Sequence, residues 1–298
     1  MRYTLLAPLF VLLLSSPSAL GAQDSGIDLL ARQLRSPDAG IRRQAAIGLG
    51  RASFPQSVRL LDEALGREPN ASIRLEIVRA LRHICFQRYP GYRQALVALG
   101  GAADAGQETD PHVRLRATEA LWEAAKKDLV DPLPFLARNL NDPEPRLRLG
   151  AVEMLRRWGK PAAVEPLGRA ALDKGQAETV RLRCIAALGA IALADGGPAG
   201  RAVSRANIAA QSHFGAGPLI SPATLEERHA GQVRYLAAVA EDPENSSTLA
   251  LRAVQSIGRV KDKTALPALR RLAETHANPA VRRQATRVLS HVLARQFE

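Results

Sequence analysis

The stretch DPHVRLRATEAL, Asp110 to Leu121, decides the fold because it keeps coming back. Close copies read DAGIRRQAAIGL (Asp38 to Leu49), NASIRLEIVRAL (Asn70 to Leu81), ETVRLRCIAAL (Glu178 to Leu188) and NPAVRRQATRVL (Asn278 to Leu289). Two looser ones are EPRLRLGAVEML (Glu144 to Leu155) and SSTLALRAVQSI (Ser246 to Ile257). With the Arg after the first apolar residue as a ruler, the copies sit at Arg42, Arg74, Arg114, Arg148, Arg181, Ala250 and Arg282. The steps are 32, 40, 34, 33, 69 and 32 residues, five near one unit and one near two. A period of that size is the signature of a solenoid, whose units bury their apolar faces only by stacking.

Within each copy, apolar or small residues fall one place before the ruler and three, six and seven after it. In the third copy these are Val113, Ala117, Ala120 and Leu121, a single helical stripe. An Asp, Asn or Ser just ahead of the stripe can cap the helix. Small residues at the middle positions (Ala45, Gly48, Ala80, Ala117, Ala187, Ala253, Ala285) let neighbouring helices approach closely. Second apolar helices lie between the copies, at Ser57–Leu65, Tyr92–Leu99, Leu133–Leu140, Ala163–Leu172, Ala223–Ala240 and Thr264–Glu274. Turns such as Asn-Asp-Pro and His-Ala-Asn-Pro join them to the next copy.

Two antiparallel helices per unit make an all-α fold, an α-solenoid of about seven helix pairs. The Asp…Val-Arg…Ala…Ala-Leu pattern from about Asp24 to Glu298 resembles the HEAT repeat family, especially its bacterial type associated with phycobilisome lyases. The resemblance implies a right-handed superhelix that serves mostly as a binding scaffold. It also implies that the ruler Arg bonds the turn Asp of an adjacent unit. Asp38, Asp110 and Asp142 are then the partners, with Asn70 and Asn278 as neutral substitutes.

Residues 1–22 stand apart from residues 23–298. Arg2, the apolar run Leu5 to Leu14 and the small residues Ala19 to Ala22 have the layout of a cleavable signal peptide. The apolar run is about half of the roughly 20 residues that span a bilayer, and no later segment is apolar enough to cross one. The chain has 35 Arg against 6 Lys, which reads as the codon habit of a high-GC bacterium, so export means the periplasm or beyond.

Catalytic patterns are not found. The six histidines (His83, His112, His213, His229, His276, His291) form no metal-spaced pair, and no His-Glu dipeptide occurs of the kind that HEAT-like di-iron hydroxylases use. Cys85 and Cys184 lie three units apart, too far to bond, and are expected as separate buried thiols. No cofactor or metal is expected.

The charge, +12, is the remaining lead. At about 100° per residue, ruler positions plus five, eight and twelve lie opposite the apolar stripe. In copies two to four they hold Arg79, Arg82, Phe86, Trp122, Lys126, Arg156 and Lys160, the candidate partner-binding residues. Family resemblance places these helices on the concave surface. The patch fits a protein partner; the alternative is a polyanion such as an acidic envelope glycan, lipid or nucleic acid, held through charge and cation–π contacts. Glu119 and Glu153 share that face and oppose a purely anionic ligand. Residues 195–222, rich in Gly, Ala, Pro and Ser, interrupt the period and are expected as a partly ordered loop, with a degenerate unit as the other possibility.

Overall fold

Ruler and second helices alternate along the chain in the computed structural model, which describes residues 26–52, 56–191, 225–260 and 263–294. The helices are α1 (26–33), α2 (Ala39–Ala52), α3 (Ser57–Leu65), α4 (Ala71–Gln87), α5 (Tyr92–Ala102), α6 (Pro111–Lys126) and α7 (Leu133–Asn139). Then come α8 (Pro145–Trp158), α9 (Val164–Leu172), α10 (Glu178–Ala190), α11 (Leu225–Glu241), α12 (Ser247–Ile257), α13 (Ala265–Thr275) and α14 (Pro279–Ala294). No strand occurs among the described residues. The expected all-α solenoid of helix pairs is therefore present. The signal-peptide segment 1–22 and the insertion 195–222 lie outside the described residues. Among the described residues, no helix is long and apolar enough to cross a membrane.

The chain divides into two compact units, Met1–Ala124 and Ala125–Glu298. In the first, α2 packs on α3 and α4, and α4 packs on α3 and α5. In the second, ruler helices α8, α10, α12 and α14 form one layer, each packed on the next. Second helices α9, α11 and α13 form the other layer, each also packed on the ruler helix that follows it. On either side of residues 192–224, α10 packs directly on α12 and α9 on α11.

The stripe is the core. Val113, Ala117, Ala120 and Leu121 are buried, as are Ile73, Ile77 and Leu81 in α4 and Val180, Cys184, Ala187 and Leu188 in α10. Each fully buried Leu or Ile side chain contributes roughly 1.5–3 kcal/mol, and that burial exists only between stacked helices. Ile41 departs from the pattern, 43% exposed although it opens the first stripe. Small residues do bring helices together. A Cβ added to Gly50 would lie 2.7 Å from Ala80 Cβ, so the α2–α4 approach needs glycine there.

The turns before the ruler helices follow one rule. The residue four before the ruler caps its helix: Asp38 accepts the amides of Gly40 and Ile41, Asn70 that of Ser72, Asp110 those of His112 and Val113, and Asn278 that of Ala280. The residue six before the ruler accepts the amide of the capping residue. Ser36, Glu68, Glu108, Asp142 and His276 do this for Asp38, Asn70, Asp110, Glu144 and Asn278.

The ruler arginine then locks the turn. Its Nη1 donates to the carbonyls six and five before it, as in Arg42 to Ser36 and Pro37, Arg74 to Glu68 and Pro69, and Arg114 to Glu108 and Thr109. The rest of the fork crosses to the next repeat. Arg42 Nε and Nη2 donate to Glu68 at 2.7 and 3.0 Å, and Arg74 Nε and Nη2 to Glu108 at 2.9 Å each. A ladder exists, but Asp38 and Asp110 are not its rungs. Asp38 and Asp110 are committed to capping, and the cross-repeat acceptors Glu68 and Glu108 stand two residues earlier; Asp142 occupies that same register. The shift has a physical cause. A cap carboxylate faces the first amides of its own helix, whereas the residue two places back faces the preceding repeat.

Candidate functional site

The expected partner-binding residues divide between the units: Arg79, Arg82, Phe86 and Trp122 in the first, Lys126, Arg156 and Lys160 in the second. On α4 the Arg82 guanidinium lies 4.9 Å from the centre of the Phe86 ring, one helical turn on. Arg79 is not a bare charge. Its Nη1 donates to Glu76 Oε1 at 2.7 Å on the same helix face. Trp122 on α6 is half-buried, and Lys126, the last residue of that helix, is exposed.

On α8, Arg156 is closed on Glu153 by two bonds of 2.8 and 2.7 Å, and Arg157 Nε donates to the same carboxylate at 2.7 Å. The hydrogen bond from Arg156, helped by that from Arg157, pulls the Glu153 carboxyl down to about 2. Lys160 Nζ sits 5.2 Å over the ring of Trp158, an aromatic residue the ruler positions did not select. The structure thus joins Arg82 to Phe86 but gives Arg79, Arg156 and Lys160 separate local partners. Glu119 likewise pairs with Arg116 on its own helix, at 2.8 Å.

Position plus eight is exposed at Arg82 and Arg156 and half-buried at Trp122, but in other copies it closes a helix contact. In copies one, five and six it is Gly50, Gly189 and Gly258. Added Cβ atoms there would lie 2.7 Å from Ala80 Cβ, 2.7 Å from Ser256 Cβ and 2.4 Å from Val288 Cγ1. Each contact is to position plus six of the next ruler helix. Neighbouring ruler helices are side by side, so plus eight borders the seam between them. Arg82, Trp122 and Arg156 put large side chains at a register where other copies need glycine. The signal was in the sequence: the glycines at plus eight separate seam-closing copies from the three that carry bulk.

Both cysteines are free and buried, as expected. Burial pushes the thiols of Cys85 and Cys184 up to about 12 each, so neither is a thiolate nucleophile near neutrality. Among the described residues, no group of three or more His, Cys, Asp or Glu side chains could hold a metal ion.

The sequence pattern of HEAT repeats matches residues 27–107, 103–189 and 233–294. The chain belongs to the HEAT repeat family. The unmatched gap between residues 189 and 233 falls within the fifth, 69-residue step. Among solved structures, the HEAT repeats are similar to human deoxyhypusine hydroxylase in complex with glycerol, at 19% identity and TM-score 0.36, over 94% of this chain and 100% of that one. A chain of the Kap95p–RanGDP structure aligns at 16% identity and TM-score 0.48, over 93% of this chain and 36% of that one. The HEAT-like repeat protein of Thermococcus onnurineus NA1 aligns at 12% identity and TM-score 0.26, over 90% and 97%. No curated protein matches the sequence.

Proposed function

We propose that this HEAT repeat chain is an exported, non-enzymatic scaffold that binds a protein partner through plus-eight residues of its ruler helices. The observation that carries the reading is the register of Arg82, Trp122 and Arg156. The register closed by glycine in copies one, five and six holds a cation, an indole and a cation in copies two to four. Half-buried aromatic residues and arginines are the side chains that dominate protein-binding hot spots. A protein partner is favoured over a polyanion because Arg79, Arg116, Arg156 and Arg157 already hold carboxylates three or four residues away on their own helices. The basic balance is thus partly neutralised on the face that a polyanion would use. Export rests on Arg2, the apolar run Leu5–Leu14 and the small residues ending at Ala22.

The test is a pull-down from bacterial envelope extract with the full chain, against a variant with Arg82, Trp122 and Arg156 all changed to Ala. A protein retained by the first and lost by the second supports these residues as the binding face. Equal recovery by both overturns it. Binding that falls steeply with salt and survives Trp122→Ala favours the polyanion instead.

A further inference from the structure

The end of α4 gathers cations and rings with no acid among them. From residue 77 to residue 103 the sequence has no Asp or Glu, and the run FQRYPGY (Phe86 to Tyr92) leads out of the helix. Arg82, Phe86 and His83 fall within one arc of about 100° on α4. Arg82 and His83 are exposed and Phe86 is half-buried. The Arg82 guanidinium stands 4.9 Å from the Phe86 ring centre, and the His83 ring meets the Tyr89 ring edge-on with centroids 5.8 Å apart. One surface thus runs from Arg82 over Phe86 and His83 to Tyr89, with exposed Arg88 next to Tyr89 in the chain. Arg88 stands out by its backbone. It sits at φ 54° and ψ 36° just past α4, its amide closing on Cys85 O while the Tyr89 amide closes on Ile84 O. Backbone groups make that cap, and its left-handed conformation suits glycine, as at Gly159 (φ 65°) after α8. An arginine where glycine is less strained points to a use for its side chain.

We propose that the end of α4 and the turn after it bind an acidic segment of a protein partner, one with an apolar side chain between its carboxylates. The carboxylates meet the exposed guanidinium groups of Arg82 and Arg88, and the apolar side chain lies on the half-buried rings of Phe86 and Tyr89. A polyanion fits less well. Its affinity grows with the number of anionic groups neutralised, and here rings stand between the two arginines. Arg79, the other cation of the arc, is closed on Glu76 at 2.7 Å. The inference rests on the scaffold reading and gives the partner its chemistry, with Arg88 and Tyr89 as contacts outside the plus-eight register.

The test is fluorescence anisotropy of a labelled Glu-Phe-Glu-Gly-Glu-Phe-Glu peptide with the full chain at about 150 mM salt, where net charge is largely screened. A peptide with Gly in place of both Phe, and a short oligothymidylate, are the comparison probes. The wild type is expected to hold the Phe peptide about fivefold tighter than the Gly peptide, from partial burial of the ring. Arg88→Gly removes the cation and relieves the backbone, so it is expected to weaken the Phe peptide about tenfold with the urea midpoint unchanged or raised. Arg88→Gln, which keeps a side chain, is expected to lose as much binding. Tyr89→Ala is expected to abolish the preference for Phe over Gly. Arg59→Gln removes an exposed cation on α3 and is expected to change binding less than about twofold. Wild-type binding to both Arg88 variants, or equal weakening by Arg59→Gln, reduces the attraction to net charge and refutes the site. A midpoint that falls in Arg88→Gly makes the side chain structural and refutes it too. Tighter, steeply salt-dependent binding of the oligothymidylate replaces the peptide by a polyanion. An unbound peptide with a successful envelope pull-down sinks this site alone, and a failed pull-down with a bound peptide sinks only the plus-eight reading.

Discussion

Replacing Glu108 by Ala is expected to destabilise the chain by about 3 kcal/mol. The carboxylate receives three hydrogen bonds, from Arg74 Nε and Nη2 at 2.9 Å each and from the Asp110 amide at 2.8 Å. Glu108 is 5% exposed and the Arg74 side chain 13%, so truncation leaves a nearly buried guanidinium with only its two turn carbonyls. Breaking a buried pair costs about 3–5 kcal/mol, and the residual water access of Arg74 places this case at the low end. The clean measurement is a double-mutant cycle with Arg74→Ala in urea, where a coupling of about 2 kcal/mol is expected. The exposed pair Arg59–Glu63 on α3 serves as reference, with coupling below about 0.5 kcal/mol. A lowered denaturant slope in Glu108→Ala would show one repeat unfolding apart from its neighbour, as nearest-neighbour coupling predicts. If the Arg74–Glu108 coupling is no larger than that of Arg59–Glu63, the ladder is decorative and the stacking account fails.

The Arg42 hydrogen bond lowers the Glu68 carboxyl below its usual range, so its stabilisation is complete above the unfolded value of about 4.3 and is lost as pH falls through the folded one. Glu68→Gln is therefore expected to flatten the acid limb of the urea-midpoint profile, and an unchanged limb would contradict it. Glu153, held at about 2, has the same sign over the window down to that value, with a smaller effect because its side chain is 43% exposed. With both thiols pushed up to about 12, neither Cys85 nor Cys184 is expected to react with a disulfide reagent at mildly alkaline pH until urea unfolds the chain. Rapid labelling of the native protein would refute the burial.

The helices were legible because burial is periodic: the stripe residues of α4, α6 and α10 are the ones the structure buries, and the second helix Ser57–Leu65 has the boundaries its pattern predicts. What the sequence concealed is direction. An acid in a turn reads the same whether it caps its own helix, as Asp110 does, or accepts from the previous repeat, as Glu108 does two residues earlier. Position plus eight was hidden for a related reason. The angle of a residue on its own helix says nothing about the neighbour alongside, and it takes Gly50 against Ala80 to show that the seam runs there. The local carboxylates at Glu76 and Glu153 were visible three residues from Arg79 and Arg156, but helical spacing alone does not rank a local partner above an external one.

The exceptions to the ladder show that its two bonds form independently. Copy six has Ala250 where the ruler Arg belongs, so the residue six before Arg282 has no guanidinium to receive. That residue is His276. Its Nδ1 still accepts the Asn278 amide, as Glu68, Glu108 and Asp142 do in their turns, and its Nε2 reaches Ala240 O at 2.8 Å near the end of α11. The local bond forms without the cross-repeat one, and the other ring nitrogen meets a carbonyl at a helix end that lacks partners within its own helix. Gly175 offers no side chain for either bond, yet Arg148 Nη1 still donates to Asp142 O and Pro143 O and locks its turn. Turn locking predicts that Arg148→Ala lowers the urea midpoint while Gly175→Glu does not, and an unchanged midpoint in Arg148→Ala would refute it.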